Sequence, residues 1–438
     1  MKRNFAAFTA IILAVTLLGG CVSELRRSDG DKLIARIETV IPAELVAPVR
    51  GEGDAAAQTV AQGANDFAFR LSAALSAEIG NENFLCSPYS VWMPLAALVN
   101  ATDETNRPAL LEALGAAGVT AEDVNRAASR MLYDLTNLAG KEYEGEDYHN
   151  PLRIANLLLV PNELQADKDF AQTFADFYRG VMMQADFSSR EAVNVINQWA
   201  GENTEGLIDS VVQELDPNSV AVLANAIYFS DRWVWEFNED NTTQDVFHGP
   251  GGDSDAHFML REGQQPYYED EQVQMVPLWF KTGGGMYILL PKDGDTVGLM
   301  ADLADGYFDE LRYAAETKTG RLLLPRFSME GNLNLNDALT ALGVPLFDEA
   351  AAPLTGGLLE GDLRVWLSSV AQKAVIEVDE KGTTAAAVTV AMAAGASLPI
   401  PTEPFEMNCN RPFVFVLCGR TYDGGEQVLF TGIVNQPQ

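Results

Sequence analysis

The chain has 438 residues, 47% of them apolar, which is enough for one large core or two or three ordinary ones and excludes disorder throughout. Against 29 Lys and Arg stand 62 Asp and Glu, a formal net charge of -33. Such a surface repels phosphate backbones, so no nucleic-acid partner is expected; charge of this kind says little about fold.

Lys2 and Arg3 precede a largely apolar run from Phe5 to Leu18. This reads as an export signal, too short for a comfortable membrane span. Leu18-Gly19-Gly20-Cys21 resembles the bacterial lipobox. That resemblance implies removal of residues 1–20, lipidation of Cys21, and an exported protein anchored to a bacterial membrane, extracytoplasmic or at the cell surface. Each buried methylene contributes about 0.8 kcal/mol, so several acyl chains hold a protein on a membrane without a spanning helix. An ordinary signal peptide with a chance cysteine is the alternative. Cys86, Cys409 and Cys418 remain, an odd number that cannot all pair. Free cysteines packed as small hydrophobes are expected, with a Cys409 to Cys418 bridge as the alternative.

Residues 21–59 mix charges with Pro42, Pro48 and Gly51-Glu52-Gly53, the composition of a flexible tether, and the folded domain is expected to span 60–438. Phe67, Leu71, Ala74 and Leu75 recur at helical spacing between Gln62 and Glu78. A second helix is expected after Ser87-Pro88, with Ser87 as its cap. Helical patterns follow at 121–138, 168–180 and 191–202, and strand-like runs at 154–160, 220–229, 286–290 and 321–324. Gly283-Gly284-Gly285 reads as a turn. The last third is strand-rich, with runs at 365–370, 373–378, 412–418 and 428–433. Helices first and strands later predict an α+β fold with a large, mainly antiparallel sheet.

Catalytic chemistry leaves no trace. The three histidines, His149, His248 and His257, adjoin no serine or cysteine in a nucleophile context. Gly-x-Ser-x-Gly, His-Glu-x-x-His and the phosphate-binding Gly-x-x-x-x-Gly-Lys loop are all absent, and no metal or cofactor is expected.

The informative segment starts at Gly382 and reads GTTAAAVTVAMAAGAS, with no charge in a chain where 21% of residues are charged. Thr383, Thr384, Val388, Thr389 and Val390 argue against a helix. With a period of two, Thr383, Ala385, Ala387, Thr389, Ala391 and Ala393 make one face of small side chains, which could slip between existing strands. The strand-like Lys373-Ala-Val-Ile-Glu-Val378 and the turn-like Asp379-Glu380-Lys381-Gly382 precede it.

Residues 378–387 resemble the hinge of inhibitory serpins: a glutamate, then glycine, threonine and small residues. Four further segments resemble the same family in the same order: Asn83-Phe-Leu-Cys-Ser-Pro-Tyr-Ser90; Leu223-Ala-Asn-Ala-Ile-Tyr-Phe229 with Trp233; Leu324-Pro-Arg-Phe327; and Asn410-Arg-Pro-Phe-Val-Phe415 with Leu429-Phe-Thr-Gly432. The resemblance covers about 62–436. It implies the serpin fold, with further sheets and helices around the central sheet and an exposed reactive-centre loop at about 380–401. It also implies a monomeric inhibitor rather than an enzyme, one whose cleaved loop enters the central sheet and traps a serine protease as its acyl-enzyme.

By that resemblance, Glu380, Gly382, Thr383, Thr384, Ala385, Ala386 and Ala387 form the hinge. Ser87, Ser90, Asn225, Gln372 and Trp233 occupy the shutter and breach, the middle and upper end of the sheet opening. Gln372 stands where the family often has a histidine, so Ser90, Asn225 and Gln372 are expected to form an uncharged substitute. Family spacing puts the scissile bond between Ala396 and Ser397, give or take a residue or two. The small residues there imply an elastase-like target. A non-inhibitory serpin acting as a binding module, and an extracytoplasmic hydrolase, are the alternatives.

Overall fold

The computed structural model describes residues 34–36, 43, 54–137, 152–204, 206, 208–383, 403–421 and 424–437. Its centre is a six-stranded mixed sheet, mostly antiparallel, in the order Ile34–Arg36, Gly180–Ala185, Leu152–Pro161, Val222–Phe229, Ser369–Val378, Phe327–Asn334. Val222–Phe229 and Ser369–Val378 pair in parallel from Val222 opposite Ser369 to Tyr228 opposite Val375. A parallel pair needs a long crossover. Here most of the second half of the molecule lies between the two strands, including Gly252–Glu269, which pairs with both Glu316–Pro325 and Val273–Trp279.

Alternation along the central strands separates two cores. Ala155, Leu157, Leu159, Val222, Ala224 and Ala226 point forward and pack under the helix Arg190–Asn203, which contributes Ala192, Val193, Ile196 and Ala200. Leu158, Leu223 and Ile227 point back into the main core, shared with the helix Pro88–Leu98 and the strand Phe413–Arg420. The helix Pro88–Leu98 is buried on every side, including Trp92 and Tyr89. Its sequence is accordingly apolar all round.

Several expectations shift. The first helix runs Asp54–Ser76, and Ile34–Arg36 pairs antiparallel with residues 183–185, so the stretch read as a tether contains two described elements. Ser87 occupies the N-cap position of Pro88–Leu98 but makes no capping bond; its hydroxyl donates to the Leu429 carbonyl at 2.6 Å. The runs at 365–370 and 373–378 are not two strands: one strand, Ser369–Val378, takes in the second run and only the last two residues of the first. Gly283 and Gly284, at φ 95° and 79°, make the turn before Gly285–Pro291. Cys86, Cys409 and Cys418 are free and buried, with burial pushing their thiols up, so the Cys409 to Cys418 bridge is not formed. Among the described residues, no helix is long and apolar enough to cross a membrane.

Candidate functional site

Midway down the central sheet, Asn225 and Gln372 face each other across the parallel pair. Both are buried and point back toward the helix Pro88–Leu98. The Gln372 amide donates to the Ser87 carbonyl at 2.7 Å and to Ser90 Oγ at 2.9 Å, and its oxygen accepts from the Ser87 N–H at 2.9 Å. Ser90 Oγ in turn donates to Asn225 Oδ1 at 2.5 Å, and Asn225 Nδ2 to Asn156 Oδ1 at 2.7 Å. The structure thus brings together Ser87, Ser90, Asn225 and Gln372 and adds Asn156, which the sequence did not single out. Every member is uncharged, so the network holds no group that titrates near neutrality. Gln372→Ala is expected to lower native stability by about 2 kcal/mol, because the buried Ser87 N–H loses its acceptor and Ser90 a donor. An unchanged midpoint in denaturant titration sinks this reading.

At the upper end of the same two strands, the chain turns at Asp379–Gly382. The Asp379 N–H donates to the Gly382 carbonyl at 2.9 Å, and Asp379 Oδ1 accepts from the Lys381 and Gly382 amides. Trp233 is fully buried, stacks on Phe280 with centroids 4.7 Å apart, and binds this turn twice. Its indole donates to the Asp379 carbonyl at 3.0 Å and its amide to the Lys381 carbonyl at 2.8 Å.

Glu380 is 3% exposed, and Oε1 accepts from Arg326 Nε at 2.8 Å, from Arg326 Nη2 at 2.6 Å and from the Thr242 hydroxyl. Burial alone would raise the Glu380 pKa; the hydrogen bonds from Arg326 and Thr242 outweigh it and hold the carboxyl below its usual range. Arg326 belongs to the Leu-Pro-Arg-Phe segment, the one signal that could have found it. Thr242 carried none.

Gly382–Thr383 then pairs antiparallel with Asp231–Arg232, Gly382 opposite Arg232 and Thr383 opposite Asp231. A Cβ at Gly382 would stand 2.0 Å from the Asp231 carbonyl oxygen, so only glycine fits this approach. Thr383 is fully buried, and its Oγ1 accepts from the Asp231 N–H at 2.8 Å. The Asp231 carboxyl accepts from Thr282 and from the Arg232 amide; burial nonetheless pushes it up to about 6. Of the remaining residues singled out from sequence, Thr384, Ala385, Ala386, Ala387, Ala396, Ser397 and Cys21 lie outside the described residues.

This two-residue pairing fixes a register. A strand continuing this register would meet the residues of Val222–Phe229 one earlier at each step, which by count would set position 389 against Asn225. An antiparallel strand counted from the turn closed by Asp379 and Gly382 would likewise set position 389 against Gln372. Asn225 and Gln372 are already partners across the parallel pair, so both counts converge on one line between the two strands. A strand on that line would turn alternate positions, counted from 383, to the back face that Asn225 occupies.

The family model described as Serpin (serine protease inhibitor) matches residues 62–437. An uncharacterized serpin-like protein of Thermococcus kodakarensis is 27% identical over 85% of this chain and 85% of its own length. The plasma serine protease inhibitor of Bos taurus is 27% identical over 98% of this chain and 99% of its own. Among solved structures, the thermophilic serpin tengpin in its native state superposes with a TM-score of 0.78 at 26% identity, covering 92% of this chain and all of that one. A match of this extent, over the sheet and turn just described, makes the chain a member of the serpin family.

Proposed function

We propose that the protein is an inhibitory serpin: a suicide inhibitor of serine proteases with elastase-like specificity, exported and held on a bacterial membrane by lipid on Cys21. The observation that carries the inhibitory reading is the hinge register. Gly382–Thr383 already begins an antiparallel pairing whose continuation runs between Val222–Phe229 and Ser369–Val378. An entering strand replaces one parallel pairing by two antiparallel ones, which are slightly more stable per residue. The side chains it would turn toward the core are all alanine or threonine from Thr383 to Ala391.

In this reading the protease serine attacks the Ala396 carbonyl, and the Ser397 amine leaves with the proton. The ester linking the enzyme to Ala396 persists while residues from Thr384 onward enter the sheet. Ala396 lies thirteen positions beyond Thr383; at about 3.3 Å per residue full insertion would leave the protease about 40 Å below Thr383, at the lower end of the sheet. Small residues at 393–397 suit a shallow specificity pocket, and the segment has no basic residue to engage a trypsin-like one. The membrane reading rests on residues 1–21 alone.

Incubation with pancreatic elastase tests the proposal. The expected result is an adduct that survives denaturing electrophoresis together with a released fragment beginning at Ser397. Cleavage without adduct would make the chain a non-inhibitory member, and an intact loop would overturn the elastase-like specificity.

A further inference from the structure

At the lower end of the sheet the parallel pair is closed by two contacts beyond its last ladder residues. The Ser368 N–H donates to the Ala221 carbonyl at 2.8 Å, and the Val220 N–H donates to the Ser368 hydroxyl at 2.9 Å. Ser368 is held from the other side by Asn336, whose Nδ2 donates to the Ser368 carbonyl at 2.9 Å while its Oδ1 accepts from the Val370 N–H at 2.9 Å. Asn336 opens the helix Asn336–Ala341, so Ser368 sits on fixed structure. Val220 follows a linker, residues 208–219, that contains no helix or strand. That linker also walls a cavity of about 1040 Å³, bounded by Val212, Ser219, Phe347, Trp366 and Ser368.

A strand inserted in the hinge register would reach this point: by count, position 392 would fall between Val222 and Ser369, position 393 between Ala221 and Ser368, and position 394 beside Val220. We infer that Ser368 is a positioning residue that latches the lower end of the insertion path, holding Val220 and Ala221 across the line that Ala393 and Ala394 must occupy. This inference rests on the insertion proposed above. The latch is the last barrier met by the loop, and the cavity gives the parted linker room to move. A bond present in the native state and absent in the transition state of opening slows opening by its full strength, so removing it accelerates the final step.

Synthetic peptides test the latch without a protease. A peptide of residues 383–396 must pass Ser368, whereas one of residues 383–391 stops short of it. With Ser368→Ala the longer peptide is expected to anneal about fivefold faster than with the wild-type protein, equivalent to one hydrogen bond of about 1 kcal/mol. The shorter peptide should anneal at the wild-type rate. Ser368→Cys, whose thiol is a weak acceptor, carries the same test, and Ser368→Thr should restore the wild-type rate. Equal acceleration of both peptides would mean general loosening of the sheet and would overturn the latch, as would no acceleration of either. Failure of both peptides to anneal to the wild-type protein would instead overturn the insertion reading itself.

Discussion

Thr383→Arg is expected to be cut by elastase at the wild-type rate and to yield at least about tenfold less covalent adduct. The loop beyond Thr383 is unchanged, so recognition and acylation are unaffected. Insertion is different, because Thr383 is fully buried and its register partner is Asp231 at the head of the central strand. In the native state an arginine here can leave the two-residue pairing at the cost of the two side-chain hydrogen bonds of Thr383, which accepts from the Asp231 N–H and donates to the Asp231 carbonyl. In the inserted state it cannot leave: it points back toward the core on the face shared with Asn225. An unpaired buried guanidinium costs several kcal/mol, and each 1.4 kcal/mol added to the insertion barrier slows it tenfold, so hydrolysis of the acyl-enzyme wins the race. The measurement is the ratio of adduct to cleaved inhibitor on a denaturing gel. An unchanged ratio sinks the hinge argument.

How far the sequence could be read depended on whether a residue's role was local. Small, uncharged side chains from Gly382 onward were visible because composition and alternation are properties of a single segment. The strand Val222–Phe229 was equally plain, since burial on both faces makes it apolar apart from Asn225. Gly252–Glu269 was not: it passes from one sheet to another, and its buried positions follow no single alternation. The Ser87 hydroxyl misled in another way, because local rules favour capping while the Leu429 carbonyl, 342 positions later, claims it in the fold. Residues acting through distant partners were invisible for the same reason. Asn156 joins the buried network only when Leu152–Pro161 pairs with Val222–Phe229, and Ser368 closes the sheet only because Asn336 holds it in place.

The tie between Glu380 and Arg326 predicts the largest effect on the native state itself. Glu380 is 3% exposed, and Arg326 and Thr242 supply its side-chain bonds. Its backbone also accepts from the Phe237 N–H at 2.8 Å, which joins the turn to the segment carrying Trp233. Glu380→Lys places a second cation against Arg326 where a carboxylate stood and leaves the Thr242 hydroxyl without its acceptor. Removing one partner of a buried pair costs about 3–5 kcal/mol; the Arg326 side chain is 44% exposed and can turn to water, so about 3 kcal/mol is expected. The loss falls at the upper mouth of the proposed insertion path, where Ser369–Val378 gives way to the turn. Loosening that mouth uncovers strand edges that a second molecule's loop can pair with, so mild heating should produce oligomers as well as unfolding. The wild-type tie has a pH signature of opposite origin. Because hydrogen bonding holds the Glu380 pKa below its unfolded value of about 4.3, its contribution is complete above that value and is lost as pH falls through the lowered folded one. Glu380→Gln, which keeps an acceptor for Arg326 and Thr242 but removes the charge, should therefore lie between wild type and Glu380→Lys at pH 7 and approach wild type in acid. Thermal unfolding across this pH range, with size-exclusion chromatography of the heated samples, checks the order. Equal stability of Glu380→Lys and wild type at neutral pH would mean that the tie does not hold the mouth of the sheet closed.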